Sequence, residues 1–370
     1  MSKVRIGVFQ LFTIFVNLVF GKAIGYTNGV VARAVGNDTW LAMTIAFLTG
    51  IAIIPALVWL SVRRGGESPM EYIPKLFGRV LGSVVMLLLG GFFCVAYATS
   101  AITITQHIND YLMTESPLLL FVAGYTLLAA YGVYLGLEVA ARLSVVGLIM
   151  TVLLNLSMVL GSVKHMELTQ LLPLFDHGVL PVVAASARAD TDVGIVTAAA
   201  LLLLPLTNAS GAKLLKAGVW GLAAGLVLVV TWSIFEITVL GPEVTAQFLV
   251  ACMQMARAAE LSIYLHRYEL IMVIMFVYGV ITQSVVCLYC ATGMIEGALP
   301  FKVRRGYLIS ALALIVMGIQ YYLAYDRDRY GAFLAILWPV ISVVLALGLP
   351  LLICLVALFR PPASPKKASV

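Results

Sequence analysis

Apolar residues in this chain run in blocks long enough to cross a bilayer, each closed by polar or Gly/Pro punctuation. The blocks predict ten membrane helices, at roughly 8–32, 40–62, 80–106, 117–135, 143–163, 193–212, 217–239, 268–292, 307–324 and 332–359. Gly36-Asn37-Asp38, Arg63-Arg64-Gly65-Gly66 and Asp326-Arg327-Asp328-Arg329 are typical closures. Two stretches between blocks are long. Lys164–Asp192 is too rich in Pro and Gly for one helix, and Gly241–His266 contains a helical pattern over Ala246–Leu265, with Arg257 and Glu260, that suits an interfacial helix. Residues 67–78 read as a short polar connector.

Composition supports the pattern. A length of 370 would ordinarily mean two or three soluble domains. With 62% hydrophobic and 11% charged residues, and a mean hydropathy of +1.06, the chain reads as an all-α polytopic membrane protein instead. One transmembrane domain is expected over 1–360, with 361–370 a disordered cytoplasmic tail. The first block is too long for a signal peptide and has no convincing cleavage site, so it reads as a retained span.

The net charge of +6 is a topology signal rather than a nucleic-acid one. With the N-terminus in the cytoplasm, 15 Lys and Arg fall on the inner side and 7 on the outer, and Lys22 in the membrane completes the 23. That bias puts both termini inside. The five cysteines mostly sit in apolar blocks, and Cys287-Leu-Tyr-Cys290, without a second pair or clustered histidines, reads as small helix residues rather than a metal or redox motif.

The first block carries Phe20-Gly21-Lys22-Ala23-Ile24-Gly25-Tyr26 near its middle. Two glycines flank a lysine about 20 Å from the start of the span at 1.5 Å per residue. One reading is a small-residue helix contact with a snorkelling lysine; the other is a broken helix carrying a transporter's substrate site. If two five-helix halves, about 8–163 and 193–359, form an inverted repeat, span six is the counterpart of span one, and it ends in the break Pro205-Leu-Thr-Asn208-Ala-Ser-Gly211. Discontinuous helices 1 and 6 are expected on this reading.

Four patches then carry a resemblance. They are Gln10-Leu-Phe with Gly21-Lys-Ala-Ile24 and Asp38-Thr-Trp40-Leu; Gly136-Leu-Glu138-Val-Ala-Ala-Arg142; Leu172-Pro173 with Gly178 and Pro181; and Leu265-His-Arg267-Tyr-Glu269-Leu with Gln283-Ser284 and Leu288-Tyr289. The chain resembles the B subunit of spore germinant receptors, the endospore germination permeases of the amino acid–polyamine–organocation (APC) transporter superfamily. The resemblance implies the five-plus-five fold, the spore inner membrane, an A subunit and a lipoprotein C subunit as partners, and a small germinant such as an amino acid. The family's Gly-Glu pair in span six is absent, the region reading Gly194-Ile-Val-Thr197-Ala198-Ala-Ala200.

The expected ligand site therefore comprises Gly21, Lys22, Ala23, Ile24 and Gly25 on span one, Tyr97 and Ser100 on span three, Thr197 and Ala198 on span six, and Gln283 on span eight. Freed N–H groups at Ala23–Tyr26 suit a carboxylate and carbonyls at Phe20–Gly21 an ammonium. Interhelical hydrogen bonding would account for Tyr97, Ser100 and Gln283 without a ligand. Glu138 and Arg142, four apart, are expected to form a structural ion pair. No acidic residue falls at the depth of Lys22 in this span assignment. No catalytic constellation, cofactor motif, metal-ligand spacing or nucleotide loop is present, so the chain reads as no enzyme, and the alternative to a receptor subunit is an ion-coupled secondary amino-acid transporter.

Overall fold

A computed structural model describes residues 6–248, 250–259 and 268–361, with the side chains of 22–24 outside the description. Among the described residues the elements are helical, apart from one bridge between Ile6 and Thr207. Among the described residues, nine runs are long and apolar enough to cross a membrane.

The first run, Val8–Arg63, has 56 residues, far more than the ~20 that one crossing needs. It contains α1 (Val8–Lys22), a π-helical turn (Ala23–Thr27), α2 (Asn28–Val35) and α3 (Thr39–Arg63). Gly36, at φ +53°, opens the 3-10 turn that separates α2 from α3. Glycine is needed there because a side chain would strain that backbone. Ile6 donates its backbone N–H to Leu206 at 3.2 Å, and Val62 at the other end of the run packs on Gly211. Both ends of the run thus meet the Leu206–Gly211 segment, so the chain crosses and returns, as the blocks 8–32 and 40–62 require.

The remaining elements are α4 (Pro69–Phe77), α5 (Arg79–Tyr111), α6 (Leu118–Leu135), α7 (Leu137–Ser162), α8 (Val179–Leu206), α9 (Gly211–Leu240), α10 (Pro242–Gln247), α11 (Ala251–Ala258), α12 (Tyr268–Ala298) and α13 (Arg305–Tyr325). The last run, Arg327–Leu358, is α14 (Arg327–Ala332), α15 (Trp338–Ile341) and α16 (Leu349–Leu358) joined by π-helical stretches at Phe333–Leu337 and Ser342–Gly348. α8 is buried nearly all round, whereas α6 exposes most of its surface. An all-round apolar helix belongs at the centre of a bundle, so α8 is the axle and α6 a lipid-facing strut.

Several expectations change. Span six begins at Val179, not 193, so the second half of the predicted loop Lys164–Asp192 is helix. Val182, Ala185, Ala189 and Val193 form its buried stripe, which the interspersed Ser186, Asp190 and Thr191 conceal in sequence. The connector at 67–78 is mostly α4, with Pro69 at its first turn. The predicted interfacial helix is α11, but Ala251, Cys252, Met253, Met255 and Ala256 are buried in protein; Glu260, His266 and Arg267 lie outside the described residues, as do 362–370 of the tail. Neither expected discontinuity is an unwound break. Helix 1 continues through a π turn, and α8 runs unbroken through Thr197 and Ala198, where alanines favour helix and Gly194 packs on Ala346.

Candidate functional site

Two helices pack onto the glycine pair at the π turn. A Cβ built at Gly21 would lie 2.7 Å from Gln283 Oε1 on α12 and 3.2 Å from Val280. A Cβ at Gly25 would overlap the Thr103 methyl on α5. Glycine at both places lets α5 and α12 approach the backbone of helix 1. Gln283 donates through Nε2 to the Leu18 carbonyl at 2.7 Å, just below the π turn. Its Oε1 is buried without a donor and faces Gly21.

Above the turn, Tyr26 is sealed in. Its hydroxyl donates to Gln106 Oε1, and its ring sits edge-on to Tyr330 at 5.1 Å and to His107 at 6.4 Å. Tyr330 donates to the Thr99 carbonyl at 3.2 Å, and Gln106 donates to the Ala324 carbonyl at 3.1 Å. α11 closes the layer: Cys252 donates to the Gly25 carbonyl across 3.9 Å and lies 3.5 Å from His107 Nε2. Burial pushes the Cys252 thiol well above the usual cysteine range, so it stays protonated and able to donate. Asp110 and Arg327 pair at 2.6 Å over this cluster.

Thr27 and Asn28 then fasten the upper half of helix 1 to two different helices. Thr27 donates to Asp192 Oδ2 on α8 at 2.7 Å, and Asn28 Oδ1 accepts from Ser233 on α9 at 2.6 Å. Asp192 is 1% exposed. The sequence expectation concerned the depth of Lys22, whose side chain lies outside the described residues; Asp192 meets helix 1 further along, at Thr27. Placing the start of span six at 193 had put Asp192 in a loop, and the signal that could have found it is Ala189-Asp190-Thr191-Asp192, immediately before an apolar run.

The other site candidates divide. Gly21, Gly25 and Gln283 converge, with Thr103 joining them. Lys22, Ala23 and Ile24 lie on the backbone of this turn, but their side chains are outside the described residues. Tyr97 is buried and donates to Thr126 at 3.2 Å, and Thr126 donates to Gln320. Ser100 spends its hydroxyl on the Ala96 carbonyl of its own helix. Thr197 donates to the Gly194 and Ala346 carbonyls, which commits it to the last run rather than to helix 1, and Ala198 shares its buried helix. Tyr97 and Thr197 thus tie helices together where a ligand contact was expected, and Ser100 bonds within α5. Glu138 and Arg142 are exposed at the start of α7, and no ion pair between them is present among the described residues. Solvated charges gain little from pairing, which explains why both stay apart.

A cavity of about 580 Å³ opens at the Ile6 end, lined by Ser61, Glu71, Thr207, Asn208 and Ser210 among others. A narrower crevice at the Gly36 end reaches Thr27, between Val30, Arg188, Thr191 and Leu334. Gly21 and Gly25 themselves are closely packed by α12 and α5, and neither opening is lined by them.

A family model described as "Spore germination protein" matches residues 5–328. Among curated proteins, the chain is 22% identical over 315 residues to the putative spore germination protein YfkT of Bacillus subtilis (strain 168), covering 84% of this chain and 86% of that one. It is 25% identical over 146 residues to spore germination protein KB of the same organism, covering 38% and 37%. Among solved structures it is similar to MhsT in complex with L-phenylalanine, with a TM-score of 0.66 at 13% identity over 97% of this chain and 90% of that one. The E129A mutant of the Eremococcus coleocola manganese transporter also scores 0.66, at 12% identity over 92% and 77%. These likenesses establish a transporter fold.

Proposed function

Because the chain belongs to the spore germination protein family, we propose that it is the membrane subunit of a germinant receptor and uses a permease fold to bind a small germinant, in the class of an amino acid, at the π turn of helix 1. The observation that carries this reading is the convergence of Gly21, Gly25, Gln283 and Thr103 on that turn, beneath a cover made by Tyr26, His107 and Cys252. A receptor A subunit and a lipoprotein C subunit are the partners to which it would signal. Its place would be the spore inner membrane, with the Ile6 end and both termini facing the cytoplasm, in line with the 15-to-7 charge bias.

The test uses spores. Deleting the gene should remove the response to one class of germinant, measured as loss of optical density, and restoring this chain without its partners should not bring it back. Vesicles carrying the chain alone should show no concentrative uptake of a labelled amino-acid set. Robust uptake by this chain alone would favour a working secondary transporter and displace the receptor reading.

Lys22 provides a second test, of ligand charge. If its ammonium replaces a coupling cation and favours a carboxylate-bearing germinant, the wild-type response should be independent of sodium. Lys22→Met keeps much of the length without the charge, and should lower the response about tenfold or more at equal or better expression, since a charge at membrane depth is costly. An unchanged response, or a strict sodium requirement in the wild type, counts against this role.

A further inference from the structure

A second cavity, of about 440 Å³, is lined by Pro74, Lys75, Arg79, Ser83 and residues 297–300. It belongs to the Ile6 end, because α3 ends beside Gly211 and α4 carries the chain from there into α5. Two glycines hold its walls together. A Cβ at Gly82 would come within 2.9 Å of the Pro74 Cα, so glycine lets α4 fold back against α5 and bring Lys75 and Arg79 to one opening. A Cβ at Gly297 would lie 2.6 Å from the Met70 Cγ, so α4 also docks on the end of α12.

The charge of this cavity is positive and only partly answered. Lys75 pairs with Glu67 at 2.8 Å. Arg79 is exposed and, among the described residues, forms no ion pair. No carboxylate is among the described lining residues. Glu71 lines the larger cavity instead, and Glu296 stands near Tyr289, over which Arg305 lies at 5.1 Å. Gly78 gives the 33-residue α5 no side-chain cap, which leaves first-turn N–H groups and their partial positive charge beside Arg79. Past this point the surface turns apolar. Val80, Leu81 and Val84 are exposed on α5, and Phe301 and Tyr307 are exposed beyond α12. Exposed apolar side chains on a spanning helix face acyl chains, and aromatic ones mark the level of the headgroups.

We propose that this cavity binds the phosphate of an anionic phospholipid. Arg79 is the main contact, since a guanidinium offers a phosphate two parallel N–H groups. Lys75 and Ser83 add donors, and the acyl chains lie along Val80 and Val84. Free phosphate has the same charge but gains nothing from the apolar surface next to the cavity, which is why a lipid is the occupant. A lipid held there clamps α4 and the start of α5 to the end of α12. Because Glu71 of α4 also lines the larger cavity, the lipid steadies that opening as well.

The purified full-length chain, offered phosphatidylglycerol and phosphatidylcholine, tests this independently of any germinant. Native mass spectra should show phosphatidylglycerol retained over phosphatidylcholine by about fivefold or more, the factor expected of one cation at a membrane surface. A photoactivatable phosphatidylglycerol should crosslink within residues 74–83 and 297–300. Arg79→Gln should remove the preference and Arg79→Lys should keep part of it. Arg142→Gln, which deletes an exposed cation at the start of α7, should leave it unchanged. Millimolar inorganic phosphate should not displace the lipid. The proposal falls if the two lipids are retained equally, if the crosslinks map elsewhere, or if Arg142→Gln costs as much as Arg79→Gln. Displacement of the lipid by inorganic phosphate would also overturn it, by showing a site for the free anion.

Discussion

Gly25→Leu is expected to abolish the germinant response while leaving protein in the membrane. The first side-chain carbon alone would overlap the Thr103 methyl. Thr103 cannot swing aside cheaply, because its hydroxyl donates to the Thr99 carbonyl at 3.2 Å and the residue is fully buried. Overpacking of this kind costs about 1–3 kcal/mol, enough to weaken the fold without unfolding a large bundle. The remaining atoms of the leucine would press further on α5 and on the π turn. Gly21→Leu should act alike, since Gln283 is pinned by its bond to Leu18. Gly25→Ala should be milder, and Gly25→Ala with Thr103→Ser should recover part of the loss by removing the obstructing methyl. Germination rate and receptor level by immunoblot, measured together, separate function from folding. Normal responses from both leucine variants would place the ligand elsewhere.

The second large effect is expected at the tie between helix 1 and α8. Asp192→Ala leaves the Thr27 hydroxyl without its acceptor, and Thr27→Val removes the donor from the same bond. Breaking a buried bond to a charged group costs about 1.5–3 kcal/mol. Each variant should lower the response by more than about tenfold, the factor that corresponds to 1.4 kcal/mol. The double variant should lose less than the two single losses multiplied together, because both remove the same bond. Losses that simply multiply in the double variant would show that Thr27 and Asp192 work independently.

The sequence revealed the frame well and the polar interior poorly, for physical reasons. Apolar blocks of bilayer length are strong signals, so the helices from Arg79–Tyr111 to Gly211–Leu240 lie within about two turns of their expected bounds, apart from the start of α8. That start was missed because Ser186, Asp190 and Asp192 read as loop when hydropathy is the guide. Asp192 is tolerated because a central helix offers it a partner, Thr27, that a lipid-facing helix lacks, and Ser186 bonds back to the Val183 carbonyl of its own helix. Gly21 and Gly25 were legible from spacing alone, since close backbone approach demands glycine. Gln283 was legible as a buried amide needing a partner, and Leu18 is that partner. Thr103, Gln106, His107 and Cys252 were not assembled in advance. Their meeting depends on α11 folding into the bundle, and its eight residues carry no signal separating a buried cap from a surface helix. The Glu138–Arg142 pair shows the opposite error: helical spacing permits a contact that solvent gives little reason to form.

The π turn at Ala23–Thr27 carries a consequence for how helix 1 can move. A π turn holds surplus chain within otherwise continuous helix. Relaxing it to α geometry by one residue would turn α2 by about 100° relative to α1 and advance it by about 1.5 Å. Such a screw motion needs no unwound hinge and leaves helix 1 hydrogen-bonded throughout. Because Tyr26, Thr27 and Asn28 face three different neighbours, it would detach all three contacts in one step. The last run stores surplus residues in the same form at Phe333–Leu337 and Ser342–Gly348, and Tyr330 at its head meets Tyr26. Two adjoining helices of this bundle are thus threaded rods rather than hinged ones, and a turn of either would be felt at the aromatic contact between them.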